Sequence, residues 1–162
     1  LWRQANHDAL TGLPNRLLFE DRLEVACGHS EAEGHSIALL YIDLDGFKPI
    51  NDRYGHEVGD QVLRKVGERI KNTVRTGDTV ARLGGDEFAV IADDVKNKEE
   101  AEWVAQKIAA SVQRQMEMGA LSISVGASIG VAMFPEDSTE TIALLGLADD
   151  KMYKQKRIRK SG

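Results

Sequence analysis

Cysteine is almost missing from this 162-residue chain: Cys27 stands alone. No intramolecular disulfide can form, which suits a reducing compartment. A basic excess is missing as well. The formal net charge is -5, the wrong sign for the electrostatic footprint of a nucleic-acid scaffold, so no nucleic-acid partner is expected. No apolar run approaches the ~20 residues of a membrane-spanning helix. Leu1-Trp2-Arg3-Gln4-Ala5-Asn6 lacks the apolar stretch of a signal peptide. A cytoplasmic location is therefore expected, with a membrane anchor left open for the full-length protein. No G-x-x-x-x-G-K-[ST] loop occurs, which excludes a P-loop as the means of holding phosphate. His7, His29, His35 and His56 show no zinc-ligand spacing. With no internal repeat or low-complexity linker, the length fits one domain with a real core. The chain starts without Met, inside what reads as a helix. We therefore expect a piece of a larger protein, with 1–6 ending an N-terminal linker helix and 7–162 forming the domain.

What is present concentrates at residues 82–88, Arg-Leu-Gly-Gly-Asp-Glu-Phe. The β-prone segment Thr79-Val80-Ala81-Arg82-Leu83 runs into two glycines and two acids. A second β-prone segment, Phe88-Ala89-Val90-Ile91, follows. This spacing predicts a hairpin whose tip carries carboxylates instead of neutral turn residues. Gly84 and Gly85 leave no side chain between backbone and an approaching ligand. Adjacent carboxylates repel, so Asp86 and Glu87 imply a cation or a donor-rich ligand at the tip.

Periodicity orders the remaining elements. Pro14 is placed as the first turn of a helix reaching about Cys27. Ser36 to Asp43 is an apolar strand buried on both faces and ending in acid. Val58, Val62, Val66, Ile70 and Val74 recur every four residues and mark an amphipathic helix. A further helix is expected from about Lys98 to Met118, a strand from Val125 to Phe134, and a last helix from about Glu140 bearing the basic end. Strand, helix, hairpin, helix, strand is the ferredoxin-like order of an α+β fold: a central antiparallel sheet flanked by helices. Arg75-Thr76-Gly77-Asp78 reads structurally as a helix stop, a cation in the last turn and then a C′ glycine.

The end of the first strand is the second concentration of chemistry. Asp43-Leu44-Asp45-Gly46-Phe47-Lys48-Pro49-Ile50-Asn51-Asp52 gathers acids, an amide and a lysine into one turn. In this fold the first strand lies beside the hairpin, so Asp43 can sit across from Asp86. Two carboxylates from separate strands, beside a turn with free carbonyls, make a hard-cation site with positions open for phosphate oxygens.

These motifs resemble the GGDEF-type diguanylate cyclases. Gly84-Gly85-Asp86-Glu87-Phe88 matches the signature without substitution. His7 to Arg16 is similar to the family's entry motif, Phe47 to Asp60 to its substrate-binding stretch, Ala127 to Ala132 to its late strand, and Ala148-Asp149 with Met152-Tyr153 to its last helix. The resemblance implies a palm-type, nucleotidyl-cyclase-like domain that condenses two GTP into cyclic di-GMP and two pyrophosphates across a homodimer. It implies that Asp43, Asp86 and the Leu44 carbonyl hold magnesium or manganese, with Asp86 as proton acceptor and Glu87 assisting. Asn51 and Asp60 would read guanine, with Phe47, Lys48, Gly84 and Gly85 around the nucleotide. Lys156 and Lys160 would touch the triphosphate. Lys160 stands where the family usually has arginine, which keeps the charge and loses the bidentate fork.

The offset of Arg75 and Asp78 from Gly84 also matches the family's R-x-x-D site, which implies inhibition by bound cyclic di-GMP. Fused sensory or regulatory domains are expected outside this chain. Two other readings stay open: an idle module that senses GTP or cyclic di-GMP and regulates a fused domain, and a cyclase acting on a single triphosphate. The intact Asp43, Asn51, Asp60 and Gly84 to Phe88 favour the active enzyme over the idle module.

Overall fold

A computed structural model describes residues 5–161. Its elements are α1 (Arg16–Glu33), β1 (Ser36–Asp45), α2 (Phe47–Tyr54), α3 (His56–Thr73), β2 (Thr79–Gly84), β3 (Glu87–Val95), α4 (Lys98–Gln113), β4 (Met116–Met118), β5 (Leu121–Ile123), β6 (Gly126–Phe134) and α5 (Thr141–Ser161). The main sheet has the order β2-β3-β1-β6, antiparallel throughout. This is the ferredoxin-like arrangement the element order implied.

Burial on both faces explains why β1 reads as an unbroken apolar run. Ala38, Leu40, Ile42 and Leu44 pack against Val62, Val66 and Ile70 of α3 and Ile108 and Val112 of α4. Ile37, Leu39 and Tyr41 point the other way, into Phe19 and Leu23 of α1 and Leu144, Ala148 and Met152 of α5. The two-residue period therefore places Asp43 and Asp45 on the α1/α5 side, and helices cover both faces. Gly130 admits α5 closely: a Cβ there would lie 2.0 Å from the Ala148 carbonyl oxygen. Among the described residues no helix is long and apolar enough to cross a membrane.

Four local expectations need correction. Pro14 does not open α1; it bridges to His7, and Asn15 caps the helix by accepting from the Leu18 N–H at 3.1 Å. The helix then runs past Cys27 to Glu33 and stops at left-handed Gly34. The segment after Asp45 is a separate helix, α2, whose short length hid its period. Helix α4 ends at Gln113, and Met116–Met118 turns back at Gly119 to pair with Leu121–Ile123. Met116 is buried as expected, because a strand fills the same core position that one more helical turn would have filled. Finally, α3 stops at Thr73 with Lys71 as its terminal cation, so Arg75 lies in the following turn and Gly77 has no positive φ. The helix-stop reading of Arg75 and Gly77 fails. Of the expected linker helix, Ala5 and Asn6 are helical and residues 1–4 lie outside the described residues.

Candidate active site

The carboxylates meet where β1 ends beside the β2–β3 turn. Gly84 and Gly85 take φ values of 138° and 49°, which only glycine adopts cheaply, and nothing lies within 4 Å of where their Cβ atoms would be. The turn thus leaves open space next to Asp86. The Leu44 N–H donates to the Asp86 carbonyl at 3.1 Å and ties the turn to β1. Asp43 pairs in register with Glu87 instead of Asp86, one residue from the expected position. The Arg82 guanidinium donates to the Gly85 carbonyl at 3.0 and 2.8 Å and pairs with Asp8 at 2.8 Å. Asp8 also accepts from the Thr11 N–H and hydroxyl. The entry motif is therefore a brace for the turn.

Asp43 carries the electrostatic signature of the site. Its side chain is 15 % exposed, and its Oδ1 is buried without a hydrogen-bond partner. Burial, then repulsion from Asp86, pushes its pKa up to about 7, against the opposing pull of Lys156. An orphan carboxylate oxygen facing a second acid is short of positive charge, which a divalent cation would supply. The donor set suits a hard cation: two carboxylates and the Leu44 carbonyl, all oxygen. Among the described residues no group of three or more His, Cys, Asp or Glu side chains is arranged to hold a metal ion, so the carboxylate contribution rests on Asp43 and Asp86.

Lys156 of α5 stands at the same place. Its ammonium lies 2.8 Å from the Leu44 carbonyl oxygen, 3.1 Å from Asp45 and 3.5 Å from Asp43. The family resemblance implied Lys156 as a triphosphate contact and did not foresee its contacts with Asp43 and Asp45. Asp45 also pairs with Arg159 at 3.4 Å and accepts from the Ser128 hydroxyl at 2.9 Å. The i, i+2 spacing of Asp43 and Asp45 on a strand, and the i, i+3 spacing of Lys156 and Arg159 on a helix, were the available signals. Lys160, by contrast, is exposed. Glu87 has its own unforeseen partner: the Tyr41 hydroxyl donates to it at 2.9 Å and accepts from Arg16 at 3.1 Å.

Helices α2 and α3 pack against each other at Asn51 and Gly59. Gly55, with φ 92°, turns the chain so that α3 starts against α2. Asn51 lies on Gly59 so closely that a Cβ there would come within 1.7 Å of its Oδ1. Asp60 follows Gly59 directly in the chain, at the first turns of α3. Phe47 is buried in the core, whereas Lys48 is exposed.

Arg75 and Asp78 lie at the base of β2, away from the acidic tip. The Asp78 N–H donates to the Arg75 carbonyl at 3.0 Å, and the Arg75 N–H donates to Asp78 Oδ2 at 3.1 Å. The Arg75 guanidinium donates to the Asp93 carbonyl and lies 3.7 Å from Asp78. The two residues form one unit, with 59 % of the arginine side chain exposed.

A family model described as "Diguanylate cyclase, GGDEF domain" matches residues 5–161. Diguanylate cyclase TpbB of Pseudomonas aeruginosa is 44% identical over 158 residues, covering 97% of this chain and 36% of that protein. The bifunctional diguanylate cyclase/cyclic di-GMP phosphodiesterase MucR of the same species is 40% identical over 158 residues, covering 98% of this chain and 23% of the relative. The chain therefore spans between a quarter and about a third of these relatives' length. The crystal structure of the TpbB GGDEF domain superposes with a TM-score of 0.88 at 42% identity, covering 91% of this chain and 92% of the other.

Proposed function

The chain belongs to the GGDEF diguanylate cyclase family, and on that premise we propose that it is an active cyclase that condenses two GTP into cyclic di-GMP and two pyrophosphates. The observation that supports this reading is the approach of Asp43 and Asp86 at the β1 end, with a buried Asp43 oxygen left without a partner. Asp43, Asp86 and the Leu44 carbonyl would hold magnesium or manganese. Such a cation, when bound, neutralises triphosphate charge and eases ionisation of the ribose 3′-hydroxyl.

The chain's own residues divide the remaining work. Asn51 and Asp60 read guanine, since a carboxylate accepts two hydrogens that the adenine edge cannot offer. ATP would leave those groups unpaired. Lys156 and the exposed Lys48 and Lys160 hold the triphosphate. Asp86, with Glu87 beside it, takes the proton of the 3′-hydroxyl. That oxygen bonds to the α-phosphorus of the GTP on a second, facing domain, and pyrophosphate leaves. A symmetric second attack closes the ring, so the reaction needs a homodimer. Arg75 and Asp78 bind the product and hold the domains where their GTP molecules cannot meet. Sensory or regulatory domains fused to this one would set how often the pair forms.

Incubation of the purified domain with GTP and magnesium, followed by mass identification of the product, tests the reading. Cyclic di-GMP should form with a specific activity that rises with enzyme concentration. Unchanged GTP would indicate an idle sensing module, and a mononucleotide product would indicate a single-triphosphate cyclase.

A further inference from the structure

Strand β3 leaves its regular ladder next to the Arg75 turn. Ser36 pairs with Val95 but Ala38 with Ala92, so one extra residue on β3 forms a bulge at Asp93–Asp94. Asp94 has φ 51°, the one non-glycine positive φ among the described residues. A left-handed residue of this kind is strained and persists only where its surroundings hold it. Here the holder is Asp93. Its Oδ1 accepts from the Asp94 N–H at 3.0 Å and lies 3.0 Å from His35 Nε2. His35 is itself fixed at the α1–β1 connection. Its Nδ1 lies 3.4 Å from Glu33, and its carbonyl accepts from the buried Ser30 hydroxyl.

The backbone of this bulge supplies the contacts that shape the Arg75 turn. The Asp93 carbonyl accepts from the Arg75 guanidinium, and the Asp93 N–H donates to Asp78 Oδ1 at 3.0 Å. Asp78 Oδ2 accepts from the Arg75 N–H, so both oxygens of a side chain only 5 % exposed are engaged by backbone. One run of hydrogen bonds therefore leads from His35 through Asp93 to the exposed guanidinium.

We propose that His35 and Asp93 are positioning residues for the product-binding arginine. They lock the bulge, and the bulge presents Arg75 with its remaining donors toward a cyclic dinucleotide. Asp78, besides its part in the site, shapes the turn from below through both of its oxygens. The proposal rests on the reading of Arg75 as part of an inhibitory site. Its physical content is preorganisation: an arginine already held at one donor loses less freedom when a purine edge or phosphate engages the others.

Titration calorimetry of the domain with cyclic di-GMP tests this, with the unmodified chain beside His35→Ala, His35→Gln and Arg75→Ala. His35→Ala should weaken binding about tenfold, the scale of one lost hydrogen bond. His35→Gln restores an N–H donor toward Asp93 and should stay within about threefold of the unmodified domain. Amide exchange at Asp93 to Val95 should quicken in His35→Ala and not in His35→Gln, a readout that loss of bulk alone would not reproduce. Should His35→Ala fail to fold, Asp93→Ala against Asp93→Asn makes the same comparison, since Asn keeps the oxygen acceptor. Equal affinity in His35→Ala and the unmodified domain, with binding lost in Arg75→Ala, would overturn the positioning role alone. Equally weak binding in His35→Gln and His35→Ala would overturn it as well. Absence of any Arg75-dependent binding in the unmodified domain would remove the inhibitory site itself.

Discussion

Asp43 and Asp78 are the same residue type, each at an end of the same sheet, in opposite electrostatic states. Asp43 keeps a buried oxygen without a partner, and its pKa is pushed up to about 7. Asp78 has both oxygens engaged by backbone N–H groups. An acid whose hydrogen-bonding capacity is used within the fold maintains shape. One left short of positive charge awaits a ligand, because the buried group otherwise costs free energy. At the end of β1 the proposed metal ligand is left unsatisfied; at the base of β2 a satisfied acid holds the exposed Arg75.

The largest expected effect falls on the unsatisfied side. Asp86→Ala or Asp43→Asn should lower cyclic di-GMP synthesis by at least about a thousandfold, the scale on which a group that stabilises developing charge acts. Circular dichroism should show the fold intact, since both residues lie at element ends. Retained synthesis in either variant would break the contrast between the two aspartates.

The same contrast predicts an unusual stability profile. A carboxyl with a raised pKa keeps its proton in the folded state between about pH 4 and 7, where the unfolded chain has lost it. Stability from this group therefore falls as pH rises through that window. Without divalent cations, Asp43→Asn should melt higher than the unmodified domain at pH 8, by on the order of 1–3 kcal/mol or several degrees, and equally at pH 4. Asp78→Asn should show no such gain at pH 8. Thermal melts at the two pH values decide both.

Feedback gives the next largest effect. Arg75→Ala should abolish product binding at its site and raise the final yield of cyclic di-GMP severalfold under conditions where product accumulates. Progress curves with added cyclic di-GMP are the measurement; unchanged inhibition would reduce the Arg75 turn to a structural connection. A further effect is expected at Asn51, the proposed guanine reader. Gly59→Ala places a methyl group on Asn51 and should raise the KM for GTP about tenfold. Asn51→Ala should narrow the preference over ATP by ~1–3 kcal/mol, by analogy with base-edge readout. Steady-state kinetics with both nucleotides would sharpen or break that assignment.

Much of this was legible in one dimension. The unbroken apolar run of β1, the four-residue period of α3 and the glycine-acid hairpin each announce their element, because hydrophobic spacing and backbone freedom are local properties. The short α2 and the β4–β5 hairpin were not legible. An eight-residue helix shows barely two turns of period, and Met116 satisfies a helical and an extended pattern equally. The helix-stop alternative for Arg75 fails because the end of α3, at Thr73, depends on where the chain must turn into β2.

The sequence by itself determined the order of the main strands and long helices and the carboxylates at the strand end and tip, since these follow from residue type, spacing and motif. Only the tertiary structure decided which charges meet. Asp45 with Lys156 and Arg159, Tyr41 with Glu87, and His35 with Asp93 are 111, 46 and 58 positions apart for the first, second and third leading pairs. No local pattern encodes such pairs. They arise where a register, a bulge and a helix crossing bring distant side chains within hydrogen-bond reach, and burial then sets whether each charge is satisfied or left for a ligand.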